Sequence, residues 1–326
     1  ASYGKGKNID FATYGAKAGA TYKINGRNYL FLNGGYNTDA PTVENTYISI
    51  RTRNYTIDNP MTQKTYTAEG GYLIRSPKLN ARVVGYATDM KDMVEAKRFY
   101  NDLYQNFTNY IISGINVRFI GTELALDVKL NSSLSVSGVA SIGQAFYTNR
   151  PNVKIYLDND TGLVAIPRTV YVKNYYLGNG PQSAYSAGIA YRSKNYWSAY
   201  VNFNYFDRNY TEIAVDRRSA EAVDLVTPQS AVWNDITAQE RLPSAFTIDV
   251  SASKSFLLAR KSKLFPNNAF LYINAGVRNL LNNQNIVTSG FEQLRFDYGF
   301  NSVSKFPSKY FYDMGINYFV NCTFRF

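Results

Sequence analysis

The chain has 326 residues, with 35 Lys and Arg against 24 Asp and Glu, for a formal net charge of +11. Apolar residues make up 45% and mean hydropathy is −0.30, so no run approaches the ~20 apolar residues of a membrane-crossing helix. With 0 His the chain has no imidazole base for hydrolase or acyl-transfer chemistry and no His-rich metal site, and its one cysteine, Cys322, excludes a disulfide within the chain.

What remains is a chain rich in aromatics, 29 Tyr and 20 Phe against 2 Trp, in which charged residues are only 18%. Low hydropathy with abundant tyrosine fits a transmembrane β-barrel, whose apolar outer face is diluted by a polar lumen. A two-residue period starts at residues 9–24 and 27–37 around "NGR" and resumes at 63–75 and 79–90 around "SPK". Between them lies a long connection, 38–62. In "MVEAKRFYNDLYQNF", residues 93–107, the period breaks. Val94, Phe99, Leu103 and Phe107, with Met93, Ala96 and Tyr100, recur at three- and four-residue steps, which predicts a short external helix. Its apolar stripe would pack on neighbouring loops or dock a surface lipoprotein.

Strand patterning returns at 108–129 and 134–148, flanking the turn "NSS". Leu124, Leu126, Val128 and Leu130 form the outward set, against Glu123, Ala125, Asp127 and Lys129. The connection 149–182 contains "YLDNDTGLV", where Asp158, Asn159 and Asp160 precede Gly162. A calcium loop needs a third acid and a Glu at position twelve, where Thr169 stands, so a hairpin turn between "VKIYL" and "LVAIP" is predicted instead. Strands at 183–193 and 196–206 flank "SKN". The longest connection, 208–243, carries Trp233 with Asp235, Glu240 and Arg241. Strands at 244–257, 268–280 and 310–326 complete a count of eleven, with 258–267 a middle-length link and 281–309 a last long connection. The final stretch puts Tyr312, Met314, Ile316, Tyr318, Val320, Cys322, Phe324 and Phe326 on one face.

Tight and long connections alternate strictly, the asymmetry of an outer-membrane barrel with short periplasmic turns and long external loops. A soluble β-sandwich also alternates in polarity but uses shorter strands. The scattered basic residues fit external lipopolysaccharide better than nucleic acid. Arg150, Tyr156, Asp158, Asp160, Trp233, Asp235 and Arg241 stand in long connections and are the candidate ligand-facing residues. No cofactor is implied.

The segments "GVRNLLNNQNIVTSGFEQLRFDYGF", "FPSKYFYDMGINYFVNCTFRF", "FTNYIISGINVRFIGTELALDVKLNSSLSVSGVASIG", "YWSAYVNFNYFDRNYTEIAVDRRSAEAV" and "FYTNRP" resemble TonB-dependent outer-membrane receptors of the Bacteroidetes. The ending lacks the pattern of the starch-receptor branch. The resemblance implies a 22-stranded barrel closed by a plug, of which eleven strands are half. It implies active import of a scarce nutrient, with the TonB complex acting through an N-terminal plug outside these residues, and a terminal aromatic, Phe326, backed by Phe324 and Tyr318, read during barrel assembly. An odd strand count with a periplasmic C-terminus puts residue 1 outside the cell, so the chain is expected to be the C-terminal part of a longer protein. A passive channel and a structural barrel subunit of a larger envelope complex are the alternatives.

Overall fold

The computed structural model describes residues 8–326 except 53, 102–104, 159–166, 179 and 259–268. Eleven strands run in sequence order through one antiparallel sheet. They are β1 (Gly15–Lys23), β2 (Asn28–Asp39), β3 (Gln63–Arg75), β4 (Leu79–Asn101), β5 (Asn106–Lys129), β6 (Leu134–Tyr147), β9 (Ser183–Arg192), β10 (Trp197–Asp207), β11 (Ala245–Leu257), β12 (Phe270–Arg278) and β15 (Asn317–Arg325). β7 (Asn152–Leu157) pairs with the upper part of β5 and with the two-residue β8 (Arg168–Thr169), and β13 (Val287–Phe291) pairs with β14 (Lys309–Tyr312). Two short α-helices among the described residues, α1 (Val43–Thr46) and α2 (Ala231–Thr237), lie in the long connections. Among the described residues β1 and β15 remain open edges, so the sheet is not closed.

The pairing register sorts the side chains into two faces. One row crosses the sheet as Val128, Val136, Ile189, Val201, Val250, Val277 and Tyr318. The neighbouring row on the other face reads Asp127, Ser137, Gly188, Asn202 and Asp249. A one-residue slip anywhere would exchange the two rows, so the polarity pattern itself pins the register. Val320 stands on the apolar face opposite Ala275, and Asn321 on the polar face opposite Asn274. The polar face is also where aromatic rings lie flat over glycines. A Cβ on Gly71 would stand 2.7 Å from the Phe31 ring, one on Gly276 2.5 Å from Phe319, and one on Gly121 2.7 Å from the Tyr86 hydroxyl.

Tight turns close one end of the sheet by side-chain acceptance of backbone N–H groups. Asn25 Oδ1 accepts from Arg27 and Asn28 at 2.9 and 3.0 Å. Asn131 repeats the arrangement with Ser133 and Leu134 at 2.8 and 2.9 Å. This is the Asx chemistry that lets asparagine make a turn without glycine. The link at 258–267 lies almost wholly outside the described residues.

Two expectations from the sequence are corrected. Residues 93–101 and 106–107 are not a helix in a loop; they continue β4 and β5, strands of 23 and 24 residues. At ~3.3 Å per residue that is about 75 Å of extended chain, so the hairpin projects well past its neighbours. The partner stretch "NFTNYIISGINV" is β-branched and aromatic, and pairing with it outweighs the helical spacing of 93–107. Val94 and Ala96 pack against Ile48, Ile57, Ile111 and Tyr156, while Met93 and Phe99 pack against the cluster of Tyr110, Ile112 and Ile115. Of the predicted apolar stripe, Met93, Val94, Ala96 and Phe99 are thus packed within the chain, Tyr100 and Phe107 are exposed, and Leu103 lies outside the described residues.

The hairpin changes register at its base, between Met90 and Met93, where Asp92 has φ +59° and Gly114 φ +72°. The backbone groups released there find side chains. Asp92 N–H donates to Asn116 Oδ1 at 3.0 Å, Asn116 N–H to Asn149 Oδ1 at 3.0 Å, and Asn149 Nδ2 to Gly114 O at 2.7 Å. The second correction is at the end of the chain. The run 310–326 is two strands, β14 and β15, separated at Gly315, whose φ of +81° ends the first. Asn282 Oδ1 receives the Ile316 N–H at 3.0 Å across that break. Phe326 lies just beyond β15, 79% exposed, with its ring 5.5 Å from that of Phe324.

Candidate functional site: the interlocked long connections

At the end of the sheet opposite the tight turns, the long connections bind one another through buried polar groups. The first lock is Asp158. Its carboxylate accepts from Ser49 Oγ at 2.6 Å, Arg51 Nη2 at 2.7 Å and Asn109 Nδ2 at 3.2 Å, while its backbone oxygen accepts from Thr52 Oγ1 at 2.8 Å. Burial raises the Asp158 carboxyl, but these hydrogen bonds outweigh it and hold it below the usual carboxylate range. Arg51 also stacks over Phe107, 4.4 Å from the ring centroid. Beneath them Tyr156 is buried, its hydroxyl 3.5 Å from Asp58 Oδ2, and Lys154 Nζ meets the same oxygen at 2.6 Å. The connection 40–62 is thereby fixed to the projecting hairpin and β7.

The second lock is Asp216, in the short 3₁₀ turn Asp216–Arg218. Tyr110 donates its hydroxyl to the Asp216 carboxylate at 3.1 and 3.2 Å. Arg168 stands 3.7 Å from the same carboxylate, 3.1 Å from Glu221, and donates to the Tyr298 hydroxyl at 3.3 Å. One buried acid thus joins residues from β5, β8 and the connections 208–243 and 281–309. Burial is the largest influence on Asp216 and pushes its carboxyl up to about 6, against the lowering by Arg168 and Tyr110.

The third lock is a pair of buried arginines on one carboxylate. Arg217 Nη1 and Arg218 Nη2 lie 3.0 and 2.9 Å from Glu292 Oε1, with Glu292 almost fully enclosed. Glu292 Oε2 accepts the Ala214 N–H at 2.8 Å. The surplus positive charge points at the C-terminal carbonyls of α2 (Ala231–Thr237): Arg217 donates to Asp235 O at 2.8 Å and Arg218 to Ile236 O at 3.0 Å. Helix C-termini are negative, so the arrangement is electrostatically matched. Arg218 also lies over the Tyr175 ring at 4.8 Å.

The candidate residues read from the sequence fall into separate places. Tyr156 and Asp158 belong to the first lock and face inward among the loops. Arg150 is exposed, 5.2 Å over the Tyr171 ring. Trp233 is half-buried on α2, its N–H capped by Ser230 Oγ at 3.2 Å, and Asp235 has an exposed side chain on the same helix. Arg241 holds Asp207 at 2.7 Å at the rim of β10. Asp160 and the expected turn around Gly162 lie outside the described residues. Sequence reasoning missed Tyr110, Arg168, Asp216, Arg217, Arg218, Glu292 and Tyr298. The doublet at 217–218 inside a long connection was the one visible signal; Glu292 carried none.

Below the locks, the polar face of β1–β5 carries a concavity of about 640 Å³ lined by Lys17, Asn33, Thr67, Glu69, Tyr86 and Glu123 among others. Asn33 Nδ2 and Glu69 Oε1 bridge it at 2.8 Å. A polar, glycine-floored concavity beneath the interlocked connections is suited to receiving a hydrophilic ligand.

No protein-family profile and no curated protein sequence matches the chain. Solved structures do. The copper transporter OprC superposes over 93% of this chain and 38% of its own, at 12% identity and a TM-score of 0.57. The ferric yersiniabactin uptake receptor FyuA from Yersinia pestis does so over 95% and 37%, at 10% identity and 0.55. The ferripyoverdine receptor of the outer membrane of Pseudomonas aeruginosa follows at 93% and 32%, 11% identity and 0.50. The fold is part of the antiparallel β-barrel that these structures share. These neighbours are transport receptors rather than enzymes, and the chain spans between about a third and two-fifths of their length.

The Asp216 lock predicts a pH dependence. Its folded pKa, about 6, lies above the ordinary 3.8, so the native lock binds more protons than the opened one between those values. The stability it contributes is complete below about pH 4 and falls as pH rises through 6, by on the order of 2–4 kcal/mol. Asp216→Asn should remove that slope. Protease protection of the 208–243 connection, followed from pH 4 to 7, checks it; the same slope in wild type and variant would refute the assignment.

Proposed function

We propose that the chain forms wall and external loops of a larger plugged barrel, a TonB-dependent receptor that imports a scarce nutrient across the outer membrane. The observation that carries this reading is the combination of an eleven-strand meander, tight-turned at one end and capped by interlocked connections at the other, with superposition along almost its whole length on nutrient receptors. The open edges β1 and β15, and the partial coverage of those receptors, support a barrel completed by further strands. Copper and ferric chelates, the cargoes named for the neighbours, are the first nutrients to test. Placement among Bacteroidetes receptors rests on the sequence resemblance, the organisms of the structural neighbours being others.

In this reading residues 1–326 supply the cap that captures ligand, the plug and TonB contact being supplied by residues outside them. The test is uptake of radiolabelled copper and of a panel of ferric chelates by cells making the full-length protein, with and without TonB. Uptake that requires both supports the proposal. Uptake independent of TonB would make the protein a passive channel, and no uptake of any probe, with fixed co-purifying partners, a structural subunit.

For Phe326, with Phe324 and Tyr318, we propose the assembly role. All three are exposed on or just beyond β15. Deleting Phe326 in the full-length protein should lower its outer-membrane abundance several-fold, measured by surface labelling. Unchanged abundance would leave Phe326 as one ring of an interfacial girdle.

A further inference from the structure

On the apolar face Lys254 stands near the tight-turn end and Asp207 at the opposite rim, but charge clusters only on β3–β5. Following the register outward, Lys64, Asp89, Lys91 and Arg118 share the face of Ala68, Ala87, Ile120 and Tyr66. Lys64 is eleven residues from Arg75 at the tight-turn end of β3. With ~3.3 Å per residue and a tilt near 40°, it stands about 28 Å above that end, just past an apolar band about 25 Å tall. At the corresponding rim, β6 presents Phe146, and β9 and β10 present Ser183 beside Asp207, whose charge Arg241 already neutralises at 2.7 Å.

The arrangement of these cations is costly without an anion. Lys64 and Lys91 are direct cross-strand partners, and like charges directly opposite destabilise a sheet. Two carboxylates neutralise part of the cluster: Asp92 meets Lys64 at 2.7 Å, and Asp89 takes Arg118 Nε and Nη2 at 2.6 and 2.8 Å. Lys91 keeps no ion-pair partner among the described residues and rests its ammonium 5.2 Å over the Tyr66 ring. Three cations against two carboxylates leave one positive charge uncompensated. The rings of Tyr14, Tyr36 and Tyr66 run beside it, with centroids 5.6 and 4.8 Å apart.

We propose that Lys64, Lys91 and Arg118 seat the phosphate of an outer-leaflet lipid, with the Tyr14–Tyr36–Tyr66 ladder as the amphipathic wall beside its headgroup. Charge complementarity selects the occupant: a phosphate oxygen between Lys64 and Lys91 removes their repulsion and adds charge-assisted hydrogen bonds. The three strands place the cations within about 12 Å of one another across the sheet, the reach of one phosphorylated headgroup. The proposal rests on the outer-membrane reading.

The test uses full-length protein extracted from outer membranes in mild detergent, with bound lipid measured by native mass spectrometry. The Lys64→Gln/Lys91→Gln variant should retain phosphorylated lipid roughly thirtyfold less than wild type, and Lys129→Gln on the polar face should leave lipid retention unchanged. Adding back the same lipid with its phosphate removed should give no thermal stabilisation of wild type, whereas the phosphorylated form should. Should the double variant assemble poorly, Lys91→Gln alone serves, since it relieves the like-charge pair. Equal lipid retention by variant and wild type, in protein that fractionates with the outer membrane, overturns the site. Wild-type protein absent from that membrane overturns the outer-membrane reading instead.

Discussion

Glu292→Ala should open the cap of long connections while leaving the sheet below it intact. The substitution removes the shared carboxylate of Arg217 and Arg218 and leaves two guanidinium groups in a nearly dry site. Removing one partner of a buried ion pair typically costs about 3–5 kcal/mol, because the remaining charge has lost both water and its counterion. Here the α2 carbonyls still receive both arginines, so the lower part of that range is expected. The Ala214 N–H also loses its acceptor. Glu292→Gln preserves the shape and one acceptor and should cost less, about 1–3 kcal/mol. Hydrogen exchange of the connections 208–243 and 281–309 reads the effect directly. Fast exchange in both, with β10–β12 still protected, is the expected pattern. Unchanged exchange in Glu292→Ala would show that the apolar contacts of Ile236, Phe296 and Ala222 hold the connections without the charges.

The strands were legible because a two-sided sheet writes its faces into every second residue. All eleven meander strands follow from that period, and the turns from asparagine, serine and glycine at their corners. The projecting hairpin was not legible, since Val94, Ala96 and Phe99 satisfy a helical spacing as well as an extended one. Only the partner stretch around Ile111 and Ile112, together with the clusters on either side, decides between them. The break at Gly315 was hidden for a related reason: residues 312–316 keep the alternation of the strand that follows, and it is the left-handed backbone with Asn282 beneath it that ends β14. The cap was the least legible part. Its locks join residues far apart in sequence, 74 positions in Arg218–Glu292 and 109 in Ser49–Asp158, and no local pattern encodes such pairs. Asp158 was singled out as a ligand-facing acid, yet three side chains of the protein hold its carboxylate.

Val320→Arg and Asn321→Arg should differ sharply although the residues are neighbours in β15. Val320 shares the apolar face with Ala275, Ala252 and Ala199 across three further strands. Asn321 lies opposite Asn274 and Ser253 on the polar face. On the proposed reading the first face meets lipid, where an arginine near the midplane costs about 2–4 kcal/mol, and the second meets a watered lumen where it costs little. Tyr318 and Phe324 mark the two ends of the strand's outward face, which puts Val320 and Cys322 in its middle. The long arginine side chain could snorkel toward an interface and soften the penalty, so assembly yield of the full-length protein is compared alongside urea midpoints in lipid. Val320→Arg should assemble poorly and unfold at lower urea; Asn321→Arg should track the wild type. Equal losses at both positions would mean that the two faces see the same solvent, and the β15 register would then carry no membrane meaning. A loss confined to Asn321→Arg would invert the faces, placing the Asp127–Asp249 row against lipid, and with it would fall the lipid-phosphate site on β3–β5.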